Sequence, residues 1–248
     1  MKRSKTYFIS DLHLGASYIP DPRAHEEKVV RWLKSIEQDC GRLYLVGDIL
    51  DYWYEYRHVV PRGFVRFFGQ LAAMHDSGVE ITWFIGNHDI WIFDYLPGEL
   101  GVKVVDGALT TEIDGKRFYI CHGDAVGRQK RSFRFIRRMF RNKVCQRLYS
   151  AIHPGLTIPF AHGWSASSRK KEEAMNVAPQ VDIKSVEYWA HEFAAKNPEI
   201  DYLVLGHYHV LLNEKVGEEC RLIILGDWIN KFSYAVFDHR ELKLEKYS

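Results

Sequence analysis

Five short apolar runs, each followed directly by a cluster of polar residues, dominate the pattern of this chain. The runs are rich in β-branched and aromatic residues, as buried strands are. They lie at residues 7–9, 43–46, 81–85, 118–121 and 202–205. Each polar cluster is therefore predicted to lie where a strand ends and a loop begins.

Apolar residues at a spacing of three and four predict helices between these strands. The predicted helices cover residues 25–38, 64–77 and 182–196, the last with Asp182 as its N-cap. Three further apolar runs, at residues 222–225, 234–237 and 242–244, predict an antiparallel sheet that closes the fold. The pattern as a whole predicts an α/β protein.

The polar clusters carry carboxylate, imidazole and carboxamide side chains. They read Asp11-Leu12-His13, Gly47-Asp48-Ile49-Leu50-Asp51, Gly86-Asn87-His88-Asp89, His122-Gly123-Asp124 and Gly206-His207-Tyr208-His209. Ligands of open α/β sheets bind outside the carboxyl ends of strands. Such side chains at five strand ends therefore predict a metal site that is too large for one ion. Oxygen and imidazole ligands without thiolate suit Mn, Fe or Zn better than Ca or Cu(I).

The order of these clusters resembles the calcineurin-like metallophosphoesterase family. The family pattern is D-x-H, G-D-x-x-[DE], G-N-H-[DE], an isolated H and G-H-x-H, and all five blocks are present between residues 11 and 209. One such block occurs by chance in many proteins, whereas five in the right order are a strong signal. The resemblance implies a single domain, residues 1–248, with a four-layer αββα sandwich of two facing sheets.

The resemblance also implies two divalent metal ions, Mn being favoured over Fe and Zn. The implied ligands are Asp11, His13 and His209 for one ion, Asn87, His122 and His207 for the other, and Asp48 as the bridge. Two such ions clamp the attacking and leaving oxygens of an in-line displacement. The glycines of the motifs, Gly47, Gly86 and Gly206, are expected to let the backbone turn sharply beside the ions.

His88 is implied to be catalytic rather than a metal ligand. In the family, the histidine of G-N-H-[DE] faces the phosphate and stabilises or protonates the leaving oxygen, and it needs a carboxylate to hold its tautomer. The family favours Asp51 for this role, although Asp89 is also a candidate or can cap the following turn. Histidines outside the motifs are expected to be structural or solvated, with His162 as the first exception to consider.

The segment between the fourth and fifth motifs departs from the pattern. It is about 80 residues long, far more than a strand-to-strand crossover needs. Residues 128–143 hold eight Lys or Arg and no acid, so the rest of this +2 chain sums to −6. An apolar stripe runs along this predicted basic helix: Phe133, Ile136, Phe140 and Val144.

Such a basic helix with an apolar stripe can lie on an anionic membrane. A solvated lid helix is an equal alternative, and nucleic-acid binding lacks any accompanying stacking module.

Within the superfamily, the chain resembles the UDP-2,3-diacylglucosamine pyrophosphatase family of lipid A biosynthesis. The likeness lies in residues 10–14, in the basic insertion, and in residues 167–171, 175–180 and 225–228. It implies a helical lid at residues 125–181 and a set of substrate-binding residues: Lys170, Arg169, Ser167 and Asp124. Better-known members carry G-N-R-D, whereas this chain has His88 in place of the arginine. Histidine is the general superfamily residue there, so hydrolysis is still expected, but the particular substrate can differ. Tyr52 to Tyr56 are expected either to line a substrate groove or to pack in the core.

The expected function is hydrolysis of UDP-2,3-diacylglucosamine to UMP and 2,3-diacylglucosamine 1-phosphate. One alternative is a soluble phosphodiesterase acting on another nucleotide, and another is a metal-free scaffold, which the seven intact ligand positions argue against. Four cysteines without a CxxC pair fit a reducing compartment, and the first strand is too short for a signal-peptide core. We expect a cytoplasmic protein on the inner membrane's cytosolic face. Its expected partners are a nucleotide-linked lipid and an anionic membrane surface, not nucleic acid.

Overall fold

Two β-sheets form the centre of the molecule. The computed structural model describes residues 3–127, 129, 131–163 and 180–248. The strands are β1 (Lys5–Ile9), β2 (Cys40–Val46), β3 (Glu80–Phe84), β4 (Lys103–Val105), β5 (Ala108–Ile113), β6 (Lys116–Cys121), β7 (Tyr202–Leu205), β8 (Leu211–Lys215), β9 (Arg221–Leu225), β10 (Ser233–Phe237) and β11 (Leu242–Lys246). One sheet has the order β11-β10-β1-β2-β3-β4, and the other has the order β5-β6-β7-β9-β8.

Seven helical segments accompany these strands in the described part of the chain. They are α1 (Pro22–Ile36), α2 (Val65–Asp76), α3 (Tyr95–Leu100), α4 (Arg131–Arg141), α5 (Lys143–Ser150), α6 (154–163) and α7 (Gln180–Lys196). Within the described residues, no helix is long and apolar enough to cross a membrane.

Three hydrophobic clusters show that the layers are stacked as helix, sheet, sheet and helix. The middle cluster joins the two sheets, with the Phe8 ring stacked on Phe118 at 5.6 Å between centroids. A second cluster packs α1 and α2, through residues such as Trp32 and Phe67, on the outer face of the first sheet. The third packs α7, through Val186 and Ala190, on the outer face of the second sheet. The predicted αββα sandwich is confirmed.

The five motif strands have the arrangement that brings their loops together. Strands β1, β2 and β3 run parallel in the first sheet, and β6 and β7 run parallel in the second. Their carboxyl ends therefore lie at one edge of each sheet. Because the two sheets face each other, the five polar clusters meet at one end of the sandwich.

The predicted closing sheet is wrong, although its three strands exist. Strand β9 pairs parallel with β7 in the second sheet, whereas β10 and β11 join the first sheet beside β1. Apolar alternation predicts a strand and its buried face but does not identify its neighbour. The pattern also missed β4, β5 and β8, of which β4 has only three residues and β5 and β8 are largely exposed edge strands.

Two helix predictions are corrected as well. Helix α7 already includes Gln180, so Asp182 lies inside the helix and is not its N-cap. The single basic helix predicted over residues 128–143 is broken after Arg141. The Asn142 side chain there accepts hydrogen bonds from the backbone N–H groups of Val144 (2.9 Å) and Cys145 (3.2 Å). This cap begins α5 and ends α4.

Candidate metal centre

Hydrogen bonds between loops hold the polar clusters together. The backbone N–H of Asp11 donates to Gly47 O (3.1 Å), and that of His13 donates to Asp48 O (3.0 Å), which joins the loops after β1 and β2. Across the sandwich, the His122 ring bonds through Nδ1 to Val46 O at 2.9 Å. The two sheets are thereby linked directly at the candidate site.

The backbone is left-handed at most of the predicted metal ligands. Nine non-glycine residues in the described chain have a positive φ. Five of them are predicted ligands: Asp11 (53°), His13 (45°), Asp48 (51°), His207 (69°) and His209 (51°). Such conformations are uncommon for residues with a side chain and persist only where the surroundings hold them. The concentration of strained backbone at these residues indicates that their side-chain positions serve a function.

The motif glycines serve two different purposes. Gly47 has a φ of 81°, as expected for a sharp turn. Gly86 and Gly206 have no left-handed φ, and instead they allow close approach of the acidic side chains. A Cβ on Gly86 would lie 2.1 Å from Asp48 Oδ1, and one on Gly206 would lie 2.8 Å from Asp11 Oδ2.

Each central aspartate has one oxygen held by the backbone and one directed at imidazoles. Asp11 Oδ2 accepts the N–H of His207 (2.9 Å), and Asp48 Oδ1 accepts the N–H of His88 (2.8 Å). The other oxygen of each aspartate faces histidine Nε2 atoms. Asp11 Oδ1 is 3.5 Å from that of His209, and Asp48 Oδ2 is 3.3 Å from that of His122. The Nε2 of His13 lies 3.9 Å from both of these oxygens.

Contacts on the far side of the imidazoles orient those Nε2 atoms. His13 Nδ1 lies 3.3 Å from Asp51 Oδ1, and His209 Nδ1 lies 3.9 Å from Asp227 Oδ2. Asp227 is itself held by Lys231 Nζ at 2.7 Å. A carboxylate behind a histidine fixes the tautomer that metal binding requires. The sequence pattern assigned no role to Asp227, since it lies outside the five motifs.

These side chains fit two divalent cations. Two groups, Asp11 with His13 and His209, and Asp48 with His122 and His207, each bring their ligand atoms within 4.8 Å of one another. Asn87 Oδ1 lies beside the second group, 3.2 Å from His122 Nε2. Asp11 Oδ1 and His13 Nε2 are buried without a hydrogen-bond partner, which is costly unless a cation supplies the missing interaction.

The pKa values show protons held where cations would bind. Burial opposes ionisation of Asp48, but neighbouring imidazoles, first that of His122, hold its pKa well below the usual range. Burial lowers the pKa of His122, yet Asp48 outweighs it and raises that pKa to about 10. Burial raises the pKa of Asp11 to about 7 and lowers that of His207 to about 4. Metal binding at neutral pH must therefore displace a proton from His122.

His88 lies beside Asp51 rather than Asp89. Its Nδ1 is 3.1 Å from the Asp51 carbonyl oxygen and 3.4 Å from Asp51 Oδ1. The Asp89 carboxylate is fully buried and accepts the N–H groups of Gly86 (2.8 Å) and Ile49 (3.0 Å). Asp89 thus holds two loops together, and the geometry favours Asp51 as the partner of His88. His13, Asp51 and His88 form a third compact group of potential ligand atoms.

The predicted substrate-binding residues are only partly within the described chain. Ser167, Arg169 and Lys170 lie outside the described residues. Asp124 is buried, and its Oδ2 pairs with Arg137 Nε of α4 at 2.7 Å. In this position Asp124 anchors the insertion, and its contact with substrate stays a prediction.

The aromatic segment after the second motif carries the insertion. Tyr52, Trp53 and Tyr54 are almost completely buried in the core. The Tyr54 hydroxyl donates to the carbonyl of Gln146 (2.7 Å), and the Tyr52 hydroxyl lies 3.1 Å from that of Tyr149. Of the two expectations for this segment, the described contacts support packing.

Comparison with known proteins identifies the family. Residues 4–211 match the Calcineurin-like phosphoesterase family. The chain belongs to this family. It is 43% identical to UDP-2,3-diacylglucosamine hydrolase of Porphyromonas gingivalis, in an alignment 255 positions long that covers 98% of this chain and 97% of that protein. It is 26% identical to the Haemophilus influenzae protein of the same name, with 94% and 93% covered.

Among solved structures, Yfce, a phosphoesterase from E. coli, aligns over 98% of this chain and 92% of its own, at 15% identity and a TM-score of 0.47. As a member of the family, this calcineurin-like protein is a metal-dependent phosphoesterase. In this protein, the groups of aspartate and histidine at the strand ends are where the metal would bind.

Proposed function

We propose that this phosphoesterase hydrolyses UDP-2,3-diacylglucosamine to UMP and 2,3-diacylglucosamine 1-phosphate. The supporting observation is the 43% identity to a hydrolase of that name over 98% of the chain. The shared length includes the insertion between β6 and α7 as well as the metal centre. The metal motifs are common to many phosphoesterases and do not distinguish substrates, so similarity outside them is what favours this one.

We assign seven ligands to two Mn²⁺ ions. Asp11, His13 and His209 would hold one ion, Asn87, His122 and His207 would hold the other, and Asp48 would contact both. This donor set is also compatible with Fe or Zn. Bound cations of this kind supply Lewis acidity and lower the pKa of a bound water. The left-handed backbone and the carboxylates behind the imidazoles restrict where the proposed ligand atoms can lie.

We assign His88 as the group that faces the leaving phosphate oxygen. Asp51 holds its Nδ1, which leaves Nε2 for the substrate. Burial lowers the pKa of His88, but Asp48 and then Asp51 raise it to about 9. The contacts with Asp51 favour the protonated imidazole, which is the form that can stabilise or protonate the departing oxygen.

The substrate assignment is tested with purified protein and Mn²⁺. It should release UMP from UDP-2,3-diacylglucosamine and act far more slowly on UDP-glucosamine without acyl chains, since each buried methylene contributes about 0.8 kcal/mol. Equal rates on the two compounds would refute the lipid assignment.

His88, where better-known members have arginine, favours a second candidate, hydrolysis of another nucleotide phosphodiester. Faster turnover of a cyclic nucleotide would support that candidate.

We further propose that the insertion places the protein on the anionic cytoplasmic face of the membrane. Twelve large hydrophobic residues are exposed in the described chain, and seven lie in α4–α6 or the turn between α5 and α6: Phe135, Met139, Val144, Leu148, Ile152, Leu156 and Phe160. Of the predicted stripe only Val144 belongs to this surface, because Phe133, Ile136 and Phe140 are half-buried and Phe140 packs on Trp91. Exposed apolar residues beside arginines suit an anionic lipid surface.

Vesicle binding tests this surface. Changing the exposed Arg131, Arg134 and Arg138 together to Glu should release the protein from phosphatidylglycerol vesicles and raise KM for the lipid substrate. Arg137 and Arg141 are left intact, because they pair with Asp124 and Asp106. A matched control reverses three exposed cations of the body: Arg31, Lys34 and Lys103. Equal vesicle binding by both triple variants would instead support the interpretation of the insertion as a solvated lid.

A further inference from the structure

One side chain of the insertion reaches the catalytic loop. His162, in α6, has its Nδ1 3.5 Å from Asp51 Oδ2, and its side chain is 30% exposed. Its ring also packs edge-on against Tyr52, with 5.9 Å between centroids. The other Asp51 oxygen, Oδ1, faces His13 at 3.3 Å and His88 at 3.4 Å. Asp51 therefore lies between the insertion on one side and the metal centre on the other.

We propose that His162 is a positioning residue for hydrolysis, acting through Asp51 on His88 and His13. This inference rests on the proposed use of the centre for phosphoester hydrolysis. The terminal torsion of an aspartate is broad, so a carboxylate held at one oxygen can rotate. Contacts at both oxygens restrict that rotation. With Oδ2 directed at His162, Oδ1 stays directed at the two imidazoles.

Packing alone does not account for this contact. The neighbouring residues Ile158 and Ala161 already pack α6 on the hydrophobic core. An imidazole nitrogen 3.5 Å from a fully buried carboxylate oxygen adds a polar contact that apolar packing does not need. The consequence is that the insertion acts on the chemical step as well as on substrate binding, because its position determines how Asp51 is held.

The test separates these two effects with two substrates. His162→Phe keeps a ring against Tyr52 but removes the nitrogen that faces Asp51. In the Mn²⁺-loaded full chain, it should lower kcat for bis(p-nitrophenyl) phosphate about ten- to a hundredfold, as small misplacements of reacting groups do, with KM little changed. His162→Asn, which retains an N–H, should restore most of kcat. His153→Phe is the matched control, since the side chain of this exposed insertion histidine only accepts the N–H of Gly155, in its own turn, among the described hydrogen bonds.

A second readout does not depend on activity. In the metal-free protein, hydrogen exchange of residues 154–163 should be faster in His162→Phe and in Asp51→Asn, and the double variant should add nothing further. Unchanged kcat for the small diester in His162→Phe, or additive exchange effects, would overturn the inference. If wild-type protein cleaves the small diester but not the lipid, the proposed substrate fails while His162 is still tested. If wild type cleaves neither, the exchange experiment decides.

Discussion

The metal centre and the insertion of α4–α6 differ in almost every physical respect. At the centre, Asp11, His13, Asp48 and His122 are buried, and a second contact holds each side chain. In residues 131–163, by contrast, only Thr157 is buried. The insertion is attached to the body by tyrosine and tryptophan hydrogen bonds and by two arginine–aspartate pairs.

This difference separates chemistry from recognition. Each charged side chain buried at the centre needs a hydrogen-bonding or charged partner, so each change there should affect metal binding or the chemical step. An exposed surface tolerates substitution in the folded state, so changes in the insertion should affect stability little and lipid binding more. Contacts between the motif loops and the insertion include Asp51 with His162 and Asp124 with Arg137.

The largest expected effect comes from Asp48→Ala. Asp48 Oδ2 lies near imidazoles of both metal groups, 3.3 Å from His122 Nε2 and 3.9 Å from His13 Nε2. Its removal should abolish hydrolysis and lower the metal content measured by mass spectrometry. Two ions per chain in this variant would show that Asp48 is not the shared ligand.

Gly86→Ala tests the crowding of the centre without removing any ligand. The new methyl group would lie 2.1 Å from Asp48 Oδ1 and force that carboxylate to move. We expect loss of most activity and of bound metal. Gly98→Ala is the matched control, because a Cβ there meets no atom within 4 Å. The same metal content and kcat in both variants would contradict the geometry described for Asp48.

His88→Ala should separate catalysis from metal binding. Loss of an acid–base group should lower kcat roughly 10²–10⁴-fold while the metal content stays near two per chain. A metal site emptied by this substitution would instead make His88 a ligand.

Metal affinity should rise with pH. In the metal-free protein His122 is protonated below its pKa of about 10, and Asp11 is also protonated below about 7. Both protons must leave for the ligands to bind, so the apparent affinity should rise up to about tenfold per pH unit between 7 and 9, and more steeply below 7. Calorimetry in buffers of different ionisation enthalpy measures the released protons. Binding without proton release at pH 8 would show that His122 is already neutral.

The smallest effect is expected in the insertion. Tyr54→Phe removes the hydrogen bond to Gln146 O and should cost about 1 kcal/mol. The loss should be local: faster hydrogen exchange in α5 and a higher KM for the lipid, with kcat for a small diester unchanged. Tyr188→Phe, at a hydroxyl-bearing residue that is 70% exposed on α7, is the control. A drop in kcat for the small diester would show that the centre depends on the whole insertion.

The sequence by itself determined the five motif strands, the types of polar side chain at their ends and the family. These features are local, because a run such as Leu43–Val46 and the Asp48 that follows it are adjacent in the chain. Parallel strands then bring such loops to one edge, whichever order the strands take. The helices α1 and α2 were predicted to within a few residues for the same reason, since their apolar spacing is complete within each segment.

Only the tertiary structure decided which elements pair and which side chains meet. It divided β9 from β10 and β11, and it placed Asp51 rather than Asp89 beside His88. It also brought His162 to Asp51 across more than a hundred residues of chain. Periodicity reports which face of an element is buried but not what covers it. Aspartate and histidine adopt left-handed backbone more often than most residues, but the sequence does not show which of them do so, because surrounding hydrogen bonds impose it.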